Sequence, residues 1–171
     1  IGQPYDPAMA SFALQQVRGG RKENIWAPEV QVGKTALVQR EIVPEGIVRL
    51  WAHQQLAYGC NMSVFFPFRS FKSAHEHLMS GVVESDYVKR NKYYELQKTA
   101  EEIKSIYSKT GKMIPHAKVA IIRDFNCDWS FEAGYTCCPD FKYMRGMYNY
   151  YHALRSQLVM ADIVSPETDL C

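Results

Sequence analysis

Glu29 is the residue of this sequence best placed to do chemistry. It lies in the segment 24–33 (NIWAPEVQVG), a short and mainly apolar run that ends in a carboxylate and then a glycine. A buried strand that delivers one acid at its carboxyl end is how a (β/α) barrel presents a catalytic group. The alternative is a surface glutamate at the start of a loop, and this segment alone does not decide between the two.

Four segments follow Glu29 in a defined order and spacing. They are 45–60 (EGIVRLWAHQQLAYGC), 63–69 (SVFFPFR), 75–77 (HEH) and 80–86 (SGVVESD). In that order they resemble the late catalytic barrel of the family 42 glycoside hydrolases, which are chiefly β-galactosidases. In that family a nucleophilic glutamate ends the seventh strand, a helix follows, and an eighth strand ends in a motif similar to FRWR.

The resemblance covers nearly the whole chain. It continues through the segments 91–106, 119–122, 150–155 and 162–164. Its specificity lies in the ordered series, since no single motif is diagnostic. It implies an α/β fold, with a late (β/α) barrel segment in residues 1–112. One β-α-β unit of a doubly wound, amidotransferase-like domain follows in residues 113–171.

By this resemblance Glu29 is the nucleophile of a retaining glycosidase that hydrolyses terminal, non-reducing β-D-galactose. The interval from Glu29 to Arg49 agrees with the family spacing between nucleophile and helix. Retaining glycosidases need two carboxyl groups about 5 to 5.5 Å apart, one as nucleophile and one as proton donor. The family's donor is a glutamate that follows an asparagine, and this sequence contains no Asn-Glu pair. We therefore expect a fragment that lacks the usual acid/base.

Glu76 corresponds to the family glutamate that hydrogen-bonds sugar hydroxyls. The family histidine three positions later is Met79 in this sequence. The alternative for Glu76 is one charge in a mobile polar loop. His75 and His77 flank it, but two alternate histidines without a third ligand are weak evidence for a metal site. No metal or cofactor is predicted.

Aromatic and basic side chains near the two predicted strand ends complete the expected sugar site. Trp26 and Phe68 can cover the C–H face of a sugar ring. Phe68 stands where the family has a tryptophan, which keeps stacking area and loses the indole N–H. Arg69 either orients the substrate or pairs with a carboxylate of the barrel.

Alternating helices and strands are predicted to position these residues. Helices are expected to begin at Asp6-Pro7, at Pro44-Glu45, before Tyr93 and near Phe141. Strands are expected at 23–30, 62–66, 117–122 and 159–164, with loops at 31–43, 68–89 and 124–140. The strand 62–66 is nearly all apolar and is expected to be covered on both faces.

Composition limits the kind of partner. The 171 residues are 47% hydrophobic with a net charge of +2 and no basic stripe, which argues against nucleic acid. The family resemblance implies a carbohydrate partner, a β-galactoside. No apolar run approaches the roughly 20 residues of a membrane helix. Five cysteines without a C-x-x-C pair favour free thiols and a cytoplasmic protein. Cys127, Cys137 and Cys138 match no zinc motif.

Two barrel strands and one β-α-β unit cannot close a barrel or complete a sheet. We therefore expect a homo-oligomer or a missing amino-terminal barrel portion. The rival hypothesis is a non-catalytic sugar-binding or oligomerisation module derived from such an enzyme.

Overall fold

The computed structural model describes residues 6–20, 25–34, 43–134, 138 and 140–169. In this part of the chain the elements are, in order, α1 (Pro7–Gly20), β1 (Ile25–Gln31), α2 (Ile47–Ala57), β2 (Cys60–Phe66), α3 (Asn91–Thr110), β3 (Val119–Ile122), α4 (Phe125–Glu132), α5 (Tyr143–Ser156) and β4 (Ala161–Val164). The fold is mixed α/β, as predicted. None of the helices in these ranges is long and apolar enough to cross a membrane.

The chain forms two compact units. The β1–β2 unit comprises Asn24–Ile114, and the β3–β4 unit comprises Ile1–Glu23 together with Pro115–Cys171. The division after Ile114 lies close to the predicted boundary between residues 1–112 and 113–171. Helix α1, which the prediction assigned to the first of these segments, instead packs on β4. The identification of the two segments as a barrel portion and an amidotransferase-like domain stays a prediction.

In the β1–β2 unit the two strands pair in parallel. Parallel neighbours need a crossover, and α2 provides it while packing against both β2 and α3. Gly59 makes the change from helix to strand sharp. Its φ of 86° is left-handed, and its amide donates a hydrogen bond to the Leu56 carbonyl oxygen at 3.0 Å. A side chain at this position would strain the turn.

Strand β2 is more exposed than its apolar sequence predicts. The expectation that both faces are covered is wrong, because Met62, Val64 and Phe66 are exposed. The alternate residues Ser63 and Phe65 are only half-buried. Helix α2 packs against β2. Within the described residues of this unit, the strand face that carries Met62, Val64 and Phe66 remains exposed.

Helix α4 corrects the prediction of a loop over 124–140. It begins because the Asp124 carboxylate accepts a hydrogen bond from the Asn126 amide at 2.8 Å, as an N-cap residue does. Sequence reasoning missed it because its apolar residues have no helical periodicity. Asp128 is its one buried residue, and the Asp128 carboxylate accepts from the Arg123 guanidinium at 2.8 Å.

In the β3–β4 unit the two strands pair in parallel and without a register shift. The core lies between this sheet and the helices α1 and α5. It consists of Phe12, Ile121, Tyr151, Ala161 and Ile163. The ring centroids of Phe12 and Tyr151 lie 5.4 Å apart in an edge-on arrangement, which is a favourable geometry for aromatic pairs.

Helix α1 approaches β4 closely at Gly19. A Cβ there would lie 1.8 Å from the Ile163 carbonyl oxygen, so the position accepts no side chain. One residue earlier, the buried Arg18 guanidinium donates to the Asp162 carboxylate at 2.5 Å and to the Pro115 carbonyl oxygen at 2.6 Å. The glycine and the ion pair together fix α1 on the sheet.

The start of α1 is also tied to α5. The Asp6 carboxylate accepts hydrogen bonds from the Tyr148 hydroxyl at 2.5 Å and from the Ala8 amide at 2.8 Å. The hydrogen bond from Tyr148 lowers the pKa of Asp6, against a smaller opposing effect of burial. Burial and the contact with Asp6 raise the pKa of Tyr148 to about 12.

We expect this pair to make stability depend on pH in acid. A carboxyl group whose folded pKa is depressed stabilises the fold above its unfolded pKa, near 4, and that contribution is lost as pH falls through the folded value. Tyr148→Phe removes the main cause of the depression, so its unfolding free energy should fall less steeply below about pH 4. Urea denaturation over this pH range measures the slope. Tyr150→Phe, at an exposed tyrosine, is the control, and identical slopes in all three proteins would contradict the prediction.

Candidate active site

The carboxyl ends of β1 and β2 lie at the same edge of the sheet, because the strands are parallel. Gln31 pairs with Phe66 at this edge. Strand β1 ends at Gln31, one residue past the predicted end at residue 30. Glu29 therefore lies two residues before the end of the strand. Phe68 and Arg69 follow Phe66 by two and three residues. Glu29 therefore lies near the carboxyl edge of the sheet, and Phe68 and Arg69 belong to the segment that leaves this edge. Ligands bind at this edge in sheets of this kind.

Glu29 lies in a β-bulge of β1. Ala27 pairs with Ser63, and the next pair is Val30 with Phe65. Two residues of β1 lie between these pairs, against one residue of β2. A bulge of this kind locally bends its strand and re-aims a side chain, and such bulges are over-represented at barrel rims and beside active sites.

The bulge shifts the pleat of β1 by one residue. Ile25 is buried before the bulge, whereas Val30 and Val32 are buried after it, so the inward-facing positions change from odd to even numbers. Glu29 is exposed as a result. Pro28 suits the preceding position, because proline has no backbone N–H to contribute to the ladder.

Beyond β2 the segment 67–69 is held by backbone pairing with Val82 and Val83. The Val82 amide donates to the Pro67 carbonyl oxygen at 3.0 Å, and the Val83 amide donates to that of Phe68 at 2.8 Å. Arg69 and Val83 form a parallel bridge. The Phe68 side chain is 64% exposed, which leaves its ring open to a ligand.

Tyr87 is a residue of this edge that sequence reasoning missed. The Arg69 guanidinium lies 4.5 Å from the centroid of the Tyr87 ring, within the range of a cation–π interaction. The Tyr87 amide donates to the Glu84 carbonyl oxygen at 3.0 Å, and its φ of 65° is left-handed. No apolar periodicity marks Tyr87, because it belongs to a turn. The predicted alternatives for Arg69, substrate contact or carboxylate pairing, remain predictions.

Trp26 lies at the other end of β1. It is the second residue of the strand, opposite Met62, and it is 59% exposed. It precedes Glu29 by three residues, which is about 10 Å along an extended strand. The structure therefore does not bring Trp26 to the carboxyl edge, and its role in sugar binding stays a prediction.

Glu76 lies in an exposed turn of the loop after β2. The Met79 amide donates to the Glu76 carbonyl oxygen at 2.9 Å, and the His77 amide donates to that of Ala74 at 3.2 Å. The side chain of Glu76 is exposed, as are those of both flanking histidines. Within the described residues no group of three potential metal ligands occurs. Cys137, one of the three clustered cysteines, lies outside those residues.

The sequence model of glycoside hydrolase family 42, described as beta-galactosidase, matches residues 3–106. The chain is 30% identical over 166 residues to beta-galactosidase BgaH of Haloferax lucentense, which covers 96% of this chain and 24% of that protein. It is 27% identical over 165 residues to a beta-galactosidase of Thermus thermophilus, covering 96% of this chain and 25% of that protein. The chain thus spans about a quarter of the length of these relatives.

Solved structures agree in fold. The beta-galactosidase from the Antarctic haloarchaeon Halorubrum lacusprofundi superimposes with a TM-score of 0.89 at 26% identity, covering 98% of this chain and 25% of that one. The beta-galactosidase from Bacillus circulans sp. alkalophilus gives a TM-score of 0.87 at 24% identity, covering 99% of this chain and 25% of that one.

Proposed function

The chain belongs to glycoside hydrolase family 42, and we propose that it supplies the nucleophile and part of the sugar site of a retaining β-galactosidase. The observation that carries the proposal is the bulge of β1. Glu29 is exposed in that bulge, two residues before the carboxyl end of β1, and Phe68 and Arg69 follow the carboxyl end of the parallel partner β2.

In this proposal a Glu29 carboxylate oxygen attacks the anomeric carbon of a β-galactoside. The bond from that carbon to the leaving oxygen breaks as a general acid protonates the oxygen, and a galactosyl ester of Glu29 forms. Water, deprotonated by the same group now acting as base, then attacks the anomeric carbon. The ester bond breaks, Glu29 is regenerated as a carboxylate, and two inversions release β-galactose.

The remaining predicted site residues would bind the sugar. The exposed ring of Phe68 can cover its C–H face, and the guanidinium of Arg69 can donate to hydroxyl oxygens while it stacks on Tyr87. Glu76 would contact the sugar in the assembled enzyme, and its exposed side chain is free to do so.

We place the acid/base outside these 171 residues. Support comes from the absence of an Asn-Glu pair in the sequence and from the coverage of only about a quarter of the relatives' length. We also propose that the β1–β2 unit is a late part of a (β/α) barrel and that the β3–β4 unit begins an amidotransferase-like domain. The exposed apolar residues of β2 would then be covered by further barrel elements or by a second copy of the chain.

The rival is a non-catalytic sugar-binding or oligomerisation module. It needs the same fold and the same aromatic surface but gives Glu29 no chemical role. The exposed position of Glu29 in the bulge favours the enzyme, because a binding module has no need to re-aim one carboxylate at the rim.

Hydrolysis of 2,4-dinitrophenyl β-galactoside tests the proposal. This leaving group departs without protonation, so turnover needs the nucleophile and the sugar site but little help from an acid/base. We expect dinitrophenolate to be released faster than in buffer, with saturation by substrate. The α-galactoside is the control and should stay intact, because its leaving group lies on the face that Glu29 attacks. Galactose binding without any turnover would favour the rival.

A further inference from the structure

A closed polar network lies under the loop that carries Phe68 and Arg69. The Ser70 hydroxyl donates to the Glu84 carboxylate at 2.8 Å and accepts from the Gly81 amide at 2.8 Å. The Lys92 ammonium group donates to the Gly81 carbonyl oxygen at 2.7 Å and lies 3.4 Å from the other carboxylate oxygen of Glu84. Ser70 is 6% exposed. The network therefore joins the two ends of the loop and the start of α3.

The backbone at Gly81 packs tightly against the backbone of Arg69 and Ser70. A Cβ at Gly81 would lie 2.4 Å from the Ser70 amide nitrogen and 2.6 Å from the Arg69 carbonyl carbon. The Ser70 amide also donates to the Val83 carbonyl oxygen at 3.0 Å. Because backbone packs on backbone here, the position of Arg69 is tied to the groups that hold Gly81 in place.

The same loop also holds the continuation of β1. The Ser80 amide donates to the Lys34 carbonyl oxygen at 2.9 Å. A Cβ at Gly33 would lie 2.6 Å from the Ser80 Cβ and 3.5 Å from the Lys92 ammonium nitrogen. The strand that carries Glu29 and the segment that carries Arg69 are thus fastened to one piece of backbone.

The backbone of Glu84 also contacts Tyr87, the residue on which Arg69 stacks. Glu84 is the residue whose carbonyl oxygen accepts from the Tyr87 amide, so it begins the turn that sets the Tyr87 ring against the Arg69 guanidinium. Its side chain and its backbone therefore act on both partners of that cation–π pair.

We propose that Glu84 and Lys92, acting through Ser70 and Gly81, are positioning residues that set Phe68 and Arg69 against Glu29. This inference rests on the proposed function of Glu29. The alternative is an ordinary ion pair that adds a little stability, since the Lys92 and Glu84 side chains are 24% and 41% exposed. A positioning role predicts a loss of reaction rate when either residue is changed, since a displacement of about 1 Å at a reacting centre can cost on the order of 100-fold in rate. An ordinary ion pair predicts only a small loss of stability.

Covalent labelling with 2,4-dinitrophenyl 2-deoxy-2-fluoro-β-galactoside separates the two readings. Fluorine slows hydrolysis of the galactosyl ester, so a labelled protein accumulates, and intact mass spectrometry follows its formation. Dependence on reagent concentration gives the maximal labelling rate and the apparent binding constant. We expect Glu84→Gln and Lys92→Met each to lower the maximal labelling rate by about 10- to 100-fold, with the fold retained by circular dichroism.

Combining the substitutions adds a second readout. If the two side chains act as one unit, the double variant should be no slower than the slower single variant. Lys92→Arg, which keeps a charged donor, should recover part of the rate. Glu101→Gln and Lys104→Met are matched controls at exposed positions of α3 and should label like the wild type.

The outcomes separate this inference from the function on which it rests. A wild-type chain that is not labelled at Glu29 overturns the proposed function and this inference with it. A wild-type chain that is labelled, with Glu84→Gln labelled equally fast, overturns the inference alone. If Lys92→Met does not fold, the isosteric Glu84→Gln and the charge-retaining Lys92→Arg decide the question.

Discussion

Glu29→Gln is expected to lower kcat/KM for an aryl β-galactoside by on the order of 10⁴-fold or more. Glutamine keeps the size and the hydrogen-bonding capacity of the side chain but cannot form the galactosyl ester. The fold should be unchanged, because Glu29 is exposed and lies in a bulge whose backbone does not depend on the carboxylate. Steady-state hydrolysis and galactose affinity, measured on the same preparation, separate loss of chemistry from loss of binding.

Two variants serve as controls for this result. Glu101→Gln changes an exposed glutamate of α3 and should leave the rate unchanged. Glu76→Gln should act mainly on KM, because its predicted role is a sugar contact made in ground and transition states alike. A Glu29→Gln variant that retains most of the wild-type rate would remove Glu29 from the mechanism.

Azide is expected to rescue Glu29→Ala with an activated substrate. Alanine leaves a space where the carboxylate was, and a small anion that enters it can attack the anomeric carbon in place of Glu29. We expect dinitrophenolate release to rise with azide concentration by at least about tenfold, which corresponds to about 1.4 kcal/mol of activation free energy. Formate, a carboxylate of similar size, should act in the same way, and chloride at equal ionic strength should not.

Rescue requires the rest of the sugar site to stay in place. The segment 67–69, which carries Phe68 and Arg69, is held by backbone pairing with Val82 and Val83 and not by Glu29, so the truncation should leave it in position. Absence of rescue by azide or formate at any concentration, in a variant that still binds galactose, would contradict the nucleophile assignment.

Much of the fold follows from simple sequence signals. Asp6-Pro7 and the paired Gly19-Gly20 delimit α1, and Gly59 marks the change from α2 to β2. Helix α4 was not predicted, because an N-cap residue is its only sequence signal and its apolar residues do not follow a helical period. The packing of α1 on β4 was not predicted either, because it depends on a contact between residues far apart in the chain.

The candidate site was predictable in part. The order of the motifs gives Glu29, Phe68 and Arg69, and parallel pairing explains why the carboxyl ends of their strands share an edge. The bulge at Glu29 was not predictable, because one extra residue in a strand becomes visible only when its partner's register is known. Tyr87 was missed for a similar reason. Its contact with Arg69 is made by a turn, and turns carry no period.

The exposed apolar face of β2 shows that the sequence of a strand does not by itself predict which of its faces are covered. The nearly all-apolar run 62–66 predicts a strand covered on both faces, yet Met62, Val64 and Phe66, which share one face, are exposed in the described chain. Apolar patches of this kind mark surfaces that another element or subunit covers. The apolar character of β2 is therefore explained by a contact surface that the described residues alone do not form.

The anomeric configuration of the azide product tests the central claim most directly. Proton NMR of the galactosyl azide formed by Glu29→Ala from dinitrophenyl β-galactoside gives the answer from one coupling constant. If Glu29 is the nucleophile, azide replaces it on the face opposite the leaving group, and a single inversion yields the α-azide. The β-azide would contradict the account, since it arises when the nucleophile is intact and azide attacks a covalent intermediate held by another residue.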